Sequence, residues 1–237
     1  MGRHFEVRAK SMAATAAKKS AINMRASKEA YMAAKSGSQD PNTNLALRAV
    51  MEKYRSQGVP RDVFERAIKK ASGTGGEDYV PGRYEAFGPG GSYVVVDTLT
   101  DNVNRAISEV RAAITKRGGH MGSVIYNFEE YGNLVFKTLM SKDEIEEILI
   151  LGDVDLKEII EVENGLIQTL VVPTDFGKTQ GVLKDSGITE YELVQIMLLP
   201  NETIKITDTE ELEKFNHMMD MLDELQDVQE VYHNVEL

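Results

Sequence analysis

Hydrophobic residues recur at two different spacings along this 237-residue chain. In the first part, apolar side chains within 47–54 fall at i, i+3, i+4 and i+7, which is typical of a helix with one buried face, and those within 64–71 repeat the spacing. The alanine-rich stretch 12–35 favours a longer helix before them, because alanine has the highest helix propensity. The pattern therefore predicts a three-helix domain that ends in the Gly-rich linker 72–78.

Beyond the linker, short segments rich in β-branched residues predict strands. The order strand, helix, strand, strand, helix, strand runs through 134–199, with the hairpin signal Asn164-Gly165 between its middle strands. This order is that of a ferredoxin-like domain. The strands and helix within 83–129 leave a sheet unfinished, and the helix and strand within 207–235 would complete it.

The predicted fold is therefore an α+β multidomain protein, in which an N-terminal three-helix domain precedes two ferredoxin-like α/β domains and the last is inserted in the second. The predicted domains are 1–78, 79–131 plus 205–237, and 132–204.

Charge divides the chain near the same point. Residues 1–70 carry 15 Lys and Arg against 6 Asp and Glu, a net charge of +9, whereas residues 71–237 carry 12 against 32, a net charge of −20. Clustered cations neutralise phosphates and release their counterions, so we predict that the first domain binds nucleic acid. The weak apolar stripe of the first helix predicts that this helix is loosely held and displays its cations. The predicted contacts are Arg3, His4, Arg8, Lys10, Lys18, Lys19, Arg25, Lys28, Arg66, Lys69 and Lys70.

Composition excludes several other classes of protein. The absence of cysteine excludes disulfides, thiolate metal sites and thiol catalysis, and it fits a reducing, cytoplasmic location. No apolar run is long enough to span a bilayer, so no membrane partner is expected. The four histidines lack metal-ligand spacing, and we expect neither a metal nor a cofactor.

Some local motifs have a structural and a functional interpretation. Gly88-Pro-Gly-Gly91 runs into a strand rather than a helix, which favours a hairpin turn over a phosphate cradle. Asp97, Asp101 and Arg105 meet where a strand ends and a helix begins, but they contain no base–nucleophile pair. Either Asp101 or Asn102 caps this helix, which explains Asp101 without a catalytic role. The acidic runs predict a solvated face, with docking of a basic partner as the alternative.

Several segments resemble a known family. Residues 82–119 read GRYEAFGPGGSYVVVDTLTDNVNRAISEVRAAITKRGG, and residues 122–132 read GSVIYNFEEYG. They closely resemble the YebC-type family, bacterial probable transcriptional regulators whose mitochondrial relative is a translational activator. VPRDVFERAIKKASG (59–73) and VQEVYHNVEL (228–237) agree, and the ending is closest to the YeeN-like branch.

This resemblance covers essentially the whole chain, so the basic start is the first domain rather than a mitochondrial transit peptide. The start itself differs from the family's usual GHSKWANIK, because Gly2–Arg8 lacks the tryptophan and contains an acid. The turn after Gly119 is also shorter than usual.

The resemblance implies three domains, the third inserted in the second, and two candidate activities. One is DNA binding with transcriptional control, and the other is association with ribosomal or transfer RNA that assists translation and relieves stalling. From the residues alone, no helix clearly presents base-reading side chains, which favours RNA. We therefore expect a non-enzymatic, nucleic-acid-binding regulator of gene expression, either a DNA-binding transcriptional regulator or a ribosome-associated translation factor.

Two other classes of function give different expectations. A protein–protein adaptor that works through its α/β domains would tolerate deletion of residues 1–78. An enzyme would need a cleft with paired titrating groups.

Overall fold

A computed structural model describes residues 16–55, 57–73, 78–163 and 165–236. Within them, seven α-helices accompany two four-stranded antiparallel sheets. The helices are α1 (Ala16–Ser36), α2 (Leu45–Arg55), α3 (Arg61–Ala71), α4 (Val103–Thr115), α5 (Lys142–Leu151), α6 (Phe176–Asp185) and α7 (Thr209–Asp223). The strands are β1 (Val80–Phe87), β2 (Tyr93–Thr100), β3 (His120–Met121), β4 (Phe128–Lys137), β5 (Leu156–Glu163), β6 (Leu166–Val171), β7 (Leu193–Pro200) and β8 (Val228–His233). None of the helices in these ranges is long and apolar enough to cross a membrane.

The first helix is packed more tightly than its weak apolar stripe predicts. Ala26, Ala30 and Ala34 follow at intervals of four and are buried, while Lys28 and Tyr31 are buried on another side of α1. The helix contacts both α3 and β2. Alanine side chains are small enough to let neighbouring elements approach on two sides, so the expectation of a loosely held helix is wrong.

The first sheet has the strand order β3-β1-β2-β8. Its β1–β2 hairpin closes through Gly88–Ser92, where Gly90 and Gly91 have φ values of 66° and 77°, so the predicted hairpin turn is confirmed. The C-terminal strand β8 pairs with β2, as expected. The first two strands of this sheet form a hairpin, with no α-helix between them. The chain order of its elements therefore departs from the βαββαβ order predicted for a ferredoxin-like domain. Helices α4 and α7 cover one face around Val96, Val110 and Phe215.

The second sheet has the order β5-β6-β4-β7, and its chain order is βαββαβ, the split β-α-β arrangement predicted for this segment. Helices α5 and α6 contribute Leu149 and Leu183 to a core that includes Phe136 and Ile167. The sequence predicts separate strands before and after 130–133, but β4 is continuous through these residues. Most described residues of 130–198 form one compact unit, while α1, α3 and the first sheet belong to another.

Asp153, in the turn between α5 and β5, is the one non-glycine residue with positive φ among the described residues, at 55°. Its side chain is fully exposed, so its removal should cost the fold little stability. Because glycine adopts this conformation without steric cost, we expect Asp153→Gly to stabilise the fold by about 0.5–1 kcal/mol. Urea unfolding would measure the change. Asp185→Gly, at a helical position, is the control and should lower stability; a lowered midpoint for Asp153→Gly would contradict the expectation.

Candidate nucleic-acid interface

Helix α3 presents cations to solvent, as its sequence predicts. Arg66, Lys69 and Lys70 are exposed. The Arg66 guanidinium lies 2.8 Å from the Asp62 carboxylate one turn before it, so part of its charge is compensated within the helix. Among the described residues, Lys69 has no ion-pair partner. The uncompensated charge of α3 is therefore concentrated towards its C-terminus.

Helix α1 adds one exposed lysine to this region. Lys70 lines a cleft together with Met24 and Ser27 of α1. Lys19 precedes Met24 by five residues, which corresponds to about 8 Å along the helix axis. It is exposed, and no described residue forms an ion pair with it. The structure therefore brings Lys70 next to α1, while Lys19 and Lys69 are exposed on the same two helices.

Two predicted contacts are not displayed to solvent, since Lys28 is buried and Arg25 is mostly buried, so their predicted exposure is wrong. Only 5% of Lys28 is exposed, and its amine donates to the main-chain oxygens of Leu99 and Gln226 at 3.0 Å each. The same amine forms an ion pair of 2.5 Å with Asp227. The Arg25 side chain is 12% exposed and donates to the main-chain oxygen of Asp223 at 2.9 Å. Both cations hold α1 against the α/β part of the chain.

Asp227 is the centre of this buried cluster, with 2% exposure. Besides the amine of Lys28, its carboxylate accepts hydrogen bonds from the Thr100 hydroxyl at 2.8 Å and from Arg105 Nε at 3.0 Å. Burial alone would raise the pKa of Asp227, but the hydrogen bonds from Lys28, Arg105 and Thr100 together lower it below its usual value. The sequence had no local signal for this residue, because its partners are far away along the chain.

The acidic residues singled out near α4 have separate roles. Asp97 pairs with Arg83 across the β1–β2 hairpin at 2.7 Å and does not join Arg105. Asp101 pairs with Arg105 at 2.7 Å, and Asn102 rather than Asp101 caps α4 by accepting from the Arg105 main-chain N–H. Of the two caps that the sequence predicts, Asn102 is therefore the one that forms, and Asp101 is not the cap.

The cleft beside this cluster has a volume of about 610 Å³. It is lined by charges of both signs, including Lys70, Glu109 and Glu224, with Tyr79 among them. The buried residues Lys28 and Asp227 also line the cleft, and they form an ion pair with each other. No group of three or more His, Cys, Asp or Glu side chains in the described part of the chain is arranged to hold a metal ion.

The remaining predicted contacts lie outside the described residues. They are Arg3, His4, Arg8 and Lys10 of the N-terminal arm, together with the side chain of Lys18. Their contact with nucleic acid stays a prediction.

Comparison with known proteins identifies the class to which this arrangement of helices and sheets belongs. Residues 3–74 match the TACO1/YebC protein N-terminal domain, and residues 79–235 match the TACO1/YebC second and third domain. The chain therefore belongs to the TACO1/YebC family, and the predicted YebC-type membership is confirmed.

Individual relatives are similar along their whole length. A probable transcriptional regulatory protein of Mesoplasma florum is 46% identical over 99% of both chains. Proteins with the same name from Acholeplasma laidlawii and Mycoplasma capricolum subsp. capricolum are 43% and 45% identical, over 99% and 100% of this chain and 98% and 100% of theirs. The crystal structure of a conserved hypothetical protein from Aquifex aeolicus is 31% identical, with a TM-score of 0.75 over 94% of this chain and 93% of that one.

The Asp227 cluster predicts a specific dependence of stability on pH. Asp227→Asn leaves the amine of Lys28 buried without a counter-charge, so at pH 7 we expect it to lower the free energy of unfolding by about 3–5 kcal/mol. The unfolded Asp227 takes up its proton near the ordinary pKa of 3.8, whereas the folded residue stays ionised to lower pH. Its contribution is therefore present above pH 3.8 and is lost as the pH falls through the folded pKa.

Urea unfolding of the wild type and of Asp227→Asn between pH 7 and pH 2.5 would test this expectation. The stability difference between the two proteins should narrow at the acidic end. Asp97→Asn, at an ion pair nearer the surface, is the matched control and should have a much smaller effect at pH 7. An equal loss from both variants, or a difference that does not change with pH, would contradict the role given to Asp227.

Proposed function

We propose that this protein is a non-enzymatic, cytoplasmic regulator of gene expression that binds nucleic acid through α1 and α3. The observation that carries the proposal is the exposure of Lys19 and Lys69 without ion-pair partners among the described residues, in a chain whose net charge is −11. Cations of this kind neutralise phosphates and release counterions. The names of the relatives support a regulatory role.

Regulation of transcription through DNA is the first candidate, because the relatives are named probable transcriptional regulatory proteins. Binding to ribosomal or transfer RNA in translation is the second, and the arginines of α3 favour it. Arg61 is held by Glu65 at 3.0 Å, and Arg66 by Asp62 at 2.8 Å. A bidentate contact from arginine to guanine, the commonest specific contact in the major groove of DNA, would require these pairs to break.

The non-enzymatic part of the proposal is supported by the cleft. Of its lining groups, Lys28 and Arg105 each pair with Asp227, and Asp101 is paired with Arg105. A nucleophile with an adjacent general base is not found among the described residues that line it. The cluster therefore suits attachment of α1 better than chemistry.

Replacing Lys19, Lys69 and Lys70 together by alanine should weaken binding to DNA and RNA of any sequence. Each lost phosphate contact is expected to reduce the slope of log K against log salt concentration by about 0.9 for duplex DNA, so the triple variant should lose about 2–3 in slope. Fluorescence anisotropy with a labelled 20-base-pair duplex between 50 and 300 mM KCl would measure both quantities.

A triple variant of exposed lysines in the other compact unit provides the control. Lys137, Lys157 and Lys184 carry the same total charge, and their replacement by alanine should leave the slope unchanged. Equal losses from both triple variants would contradict a localised phosphate-binding surface. Crosslinking in cells followed by sequencing would then separate the two candidates, since promoter DNA favours transcription and ribosomal or transfer RNA favours translation.

A further inference from the structure

Three aromatic side chains lie side by side across the first sheet. Phe87 of β1 is the register partner of Tyr93 on β2 and of His120 on β3. Residues directly opposite each other on neighbouring strands point to the same face. The core-facing residues of these strands are their neighbours, such as Ala86 and Val94. The three rings therefore lie on the opposite face of the sheet, and we refer to them as the aromatic row.

The rings of the row are in contact. The Phe87 and His120 rings are stacked, with centroids 5.0 Å apart and planes inclined by 17°. Tyr93 meets Phe87 edge-on, with a centroid distance of 5.7 Å. His120 is exposed, while Phe87 and Tyr93 are half-buried. Because β3 is the edge strand, no further strand of the described residues lies beyond His120, which leaves room for another planar ring to continue the stack.

Cations lie close in sequence to the exposed end of the row. Lys116 and Arg117 end α4 and precede His120 by only four and three residues, with Arg111 one turn earlier on the helix. The segment 111–120 contains no acidic residue, although the sequence from 71 onwards is strongly acidic. None of these three cations has an ion-pair partner among the described residues. The buried Nε of Arg117 also lacks a hydrogen-bond partner in the described structure.

One carboxylate, that of Glu85, occupies the same face two residues before Phe87. It is engaged by the Ser123 hydroxyl at 3.0 Å and by the main-chain N–H groups of Val124 and Ile125 at 2.6 and 2.8 Å. These hydrogen bonds distribute its charge into the turn that follows β3. Glu85 therefore fixes this turn next to the row.

We propose that the aromatic row and the cations at the end of α4 form a second binding site, which takes unpaired bases of single-stranded nucleic acid. An unstacked base would lie on His120 and continue the stack with Phe87, while Lys116 and Arg117 would contact the neighbouring phosphates. Aromatic rings combined with a basic groove are the usual means of binding single strands without reading their sequence.

The chemistry of the row defines the partner class. In a duplex the bases are paired and stacked on each other, so their faces cannot reach a protein ring. The row therefore selects unpaired segments, which single-stranded RNA, RNA loops and single-stranded DNA all provide. This inference rests on the proposed nucleic-acid function, but it concerns a different surface from Lys19, Lys69 and Lys70 and makes a separate prediction.

Structural roles explain only part of the arrangement. Cross-strand aromatic pairs stabilise sheets, which accounts for Phe87 and Tyr93. Cations also interact favourably with the C-terminus of a helix, which accounts for Lys116 and Arg117. Neither role requires an exposed aromatic ring on the edge strand, stacked on Phe87 and bordered by further cations.

His120→Ala should weaken binding of single strands by roughly five- to a hundredfold, the loss typical of removing one stacking partner. His120→Tyr keeps an aromatic ring and should bind within about twofold of wild type, since stacking tolerates different rings. The probes are fluorescein-labelled decamers of uridine and of deoxythymidine, with the 20-base-pair duplex alongside, all measured by anisotropy. Thermal melting verifies that each variant is folded.

The control is His217→Ala, which removes an exposed histidine that lies on α7 and outside the row. The affinity of this variant for the single-stranded decamers should equal that of the wild type. The proposal is overturned if wild type does not bind the decamers, if His120→Ala binds them like wild type, or if His120→Tyr is as weak as His120→Ala. A decamer of deoxyuridine, which differs from the uridine decamer only in the 2′-hydroxyl, then separates the two sources: tighter binding of uridine identifies RNA, and tighter binding of deoxyuridine identifies DNA.

The two surfaces can fail separately. Loss of single-strand binding in His120→Ala, with duplex binding retained, supports the aromatic row. If the lysine triple variant binds the duplex like wild type while His120→Ala still loses the decamers, the proposed lysine surface fails and the row stands. If only the lysine triple variant has an effect, the row fails and the lysine surface stands.

Discussion

The buried ion pair between Lys28 and Asp227 is the interaction on which the arrangement of the larger compact unit depends. The two residues are 199 positions apart, and their pairing attaches α1 to the C-terminal part of the first sheet. Through Thr100 and Arg105, the same carboxylate also fixes the end of β2 and the start of α4. A buried charge that loses its partner is strongly unfavourable, so these four segments hold one another in place.

This attachment changes what the net charge of the first 70 residues means. Lys28 and Arg25 contribute to the value of +9, but their charges are directed inwards to Asp227 and Asp223. The intrahelical ion pair of Arg66 reduces the charge available to a ligand further. An excess of lysine and arginine in a sequence therefore overstates the surface that can meet phosphates, and within the described helices exposed lysines such as Lys69 are the cations that remain available for it.

Features that neighbouring residues determine could be predicted from the sequence, whereas features that depend on contacts between distant parts of the chain could not. The turn at Gly88–Gly91 and the helix 61–71 follow from neighbouring residues, and both were predictable. The burial of Lys28 was not, because its partner lies near the other end of the chain and the helix itself is almost free of large apolar residues. For Asp101 and Asn102, adjacent residues of similar capping ability, only the final backbone geometry decides which one caps α4.

The two candidate surfaces lie towards opposite ends of α4, since Lys70 lines the cleft with Arg105 near its start and His120 follows its end. A helix of 13 residues is about 20 Å long. The surfaces also require different features of a ligand: lysines accept any phosphate chain, whereas the aromatic row needs an exposed base. One molecule that satisfies both at this distance must offer unpaired bases beside a continuous backbone. Folded RNA has this combination of loops and helices, whereas uniform duplex DNA does not, so the two proposals taken together favour RNA as the partner.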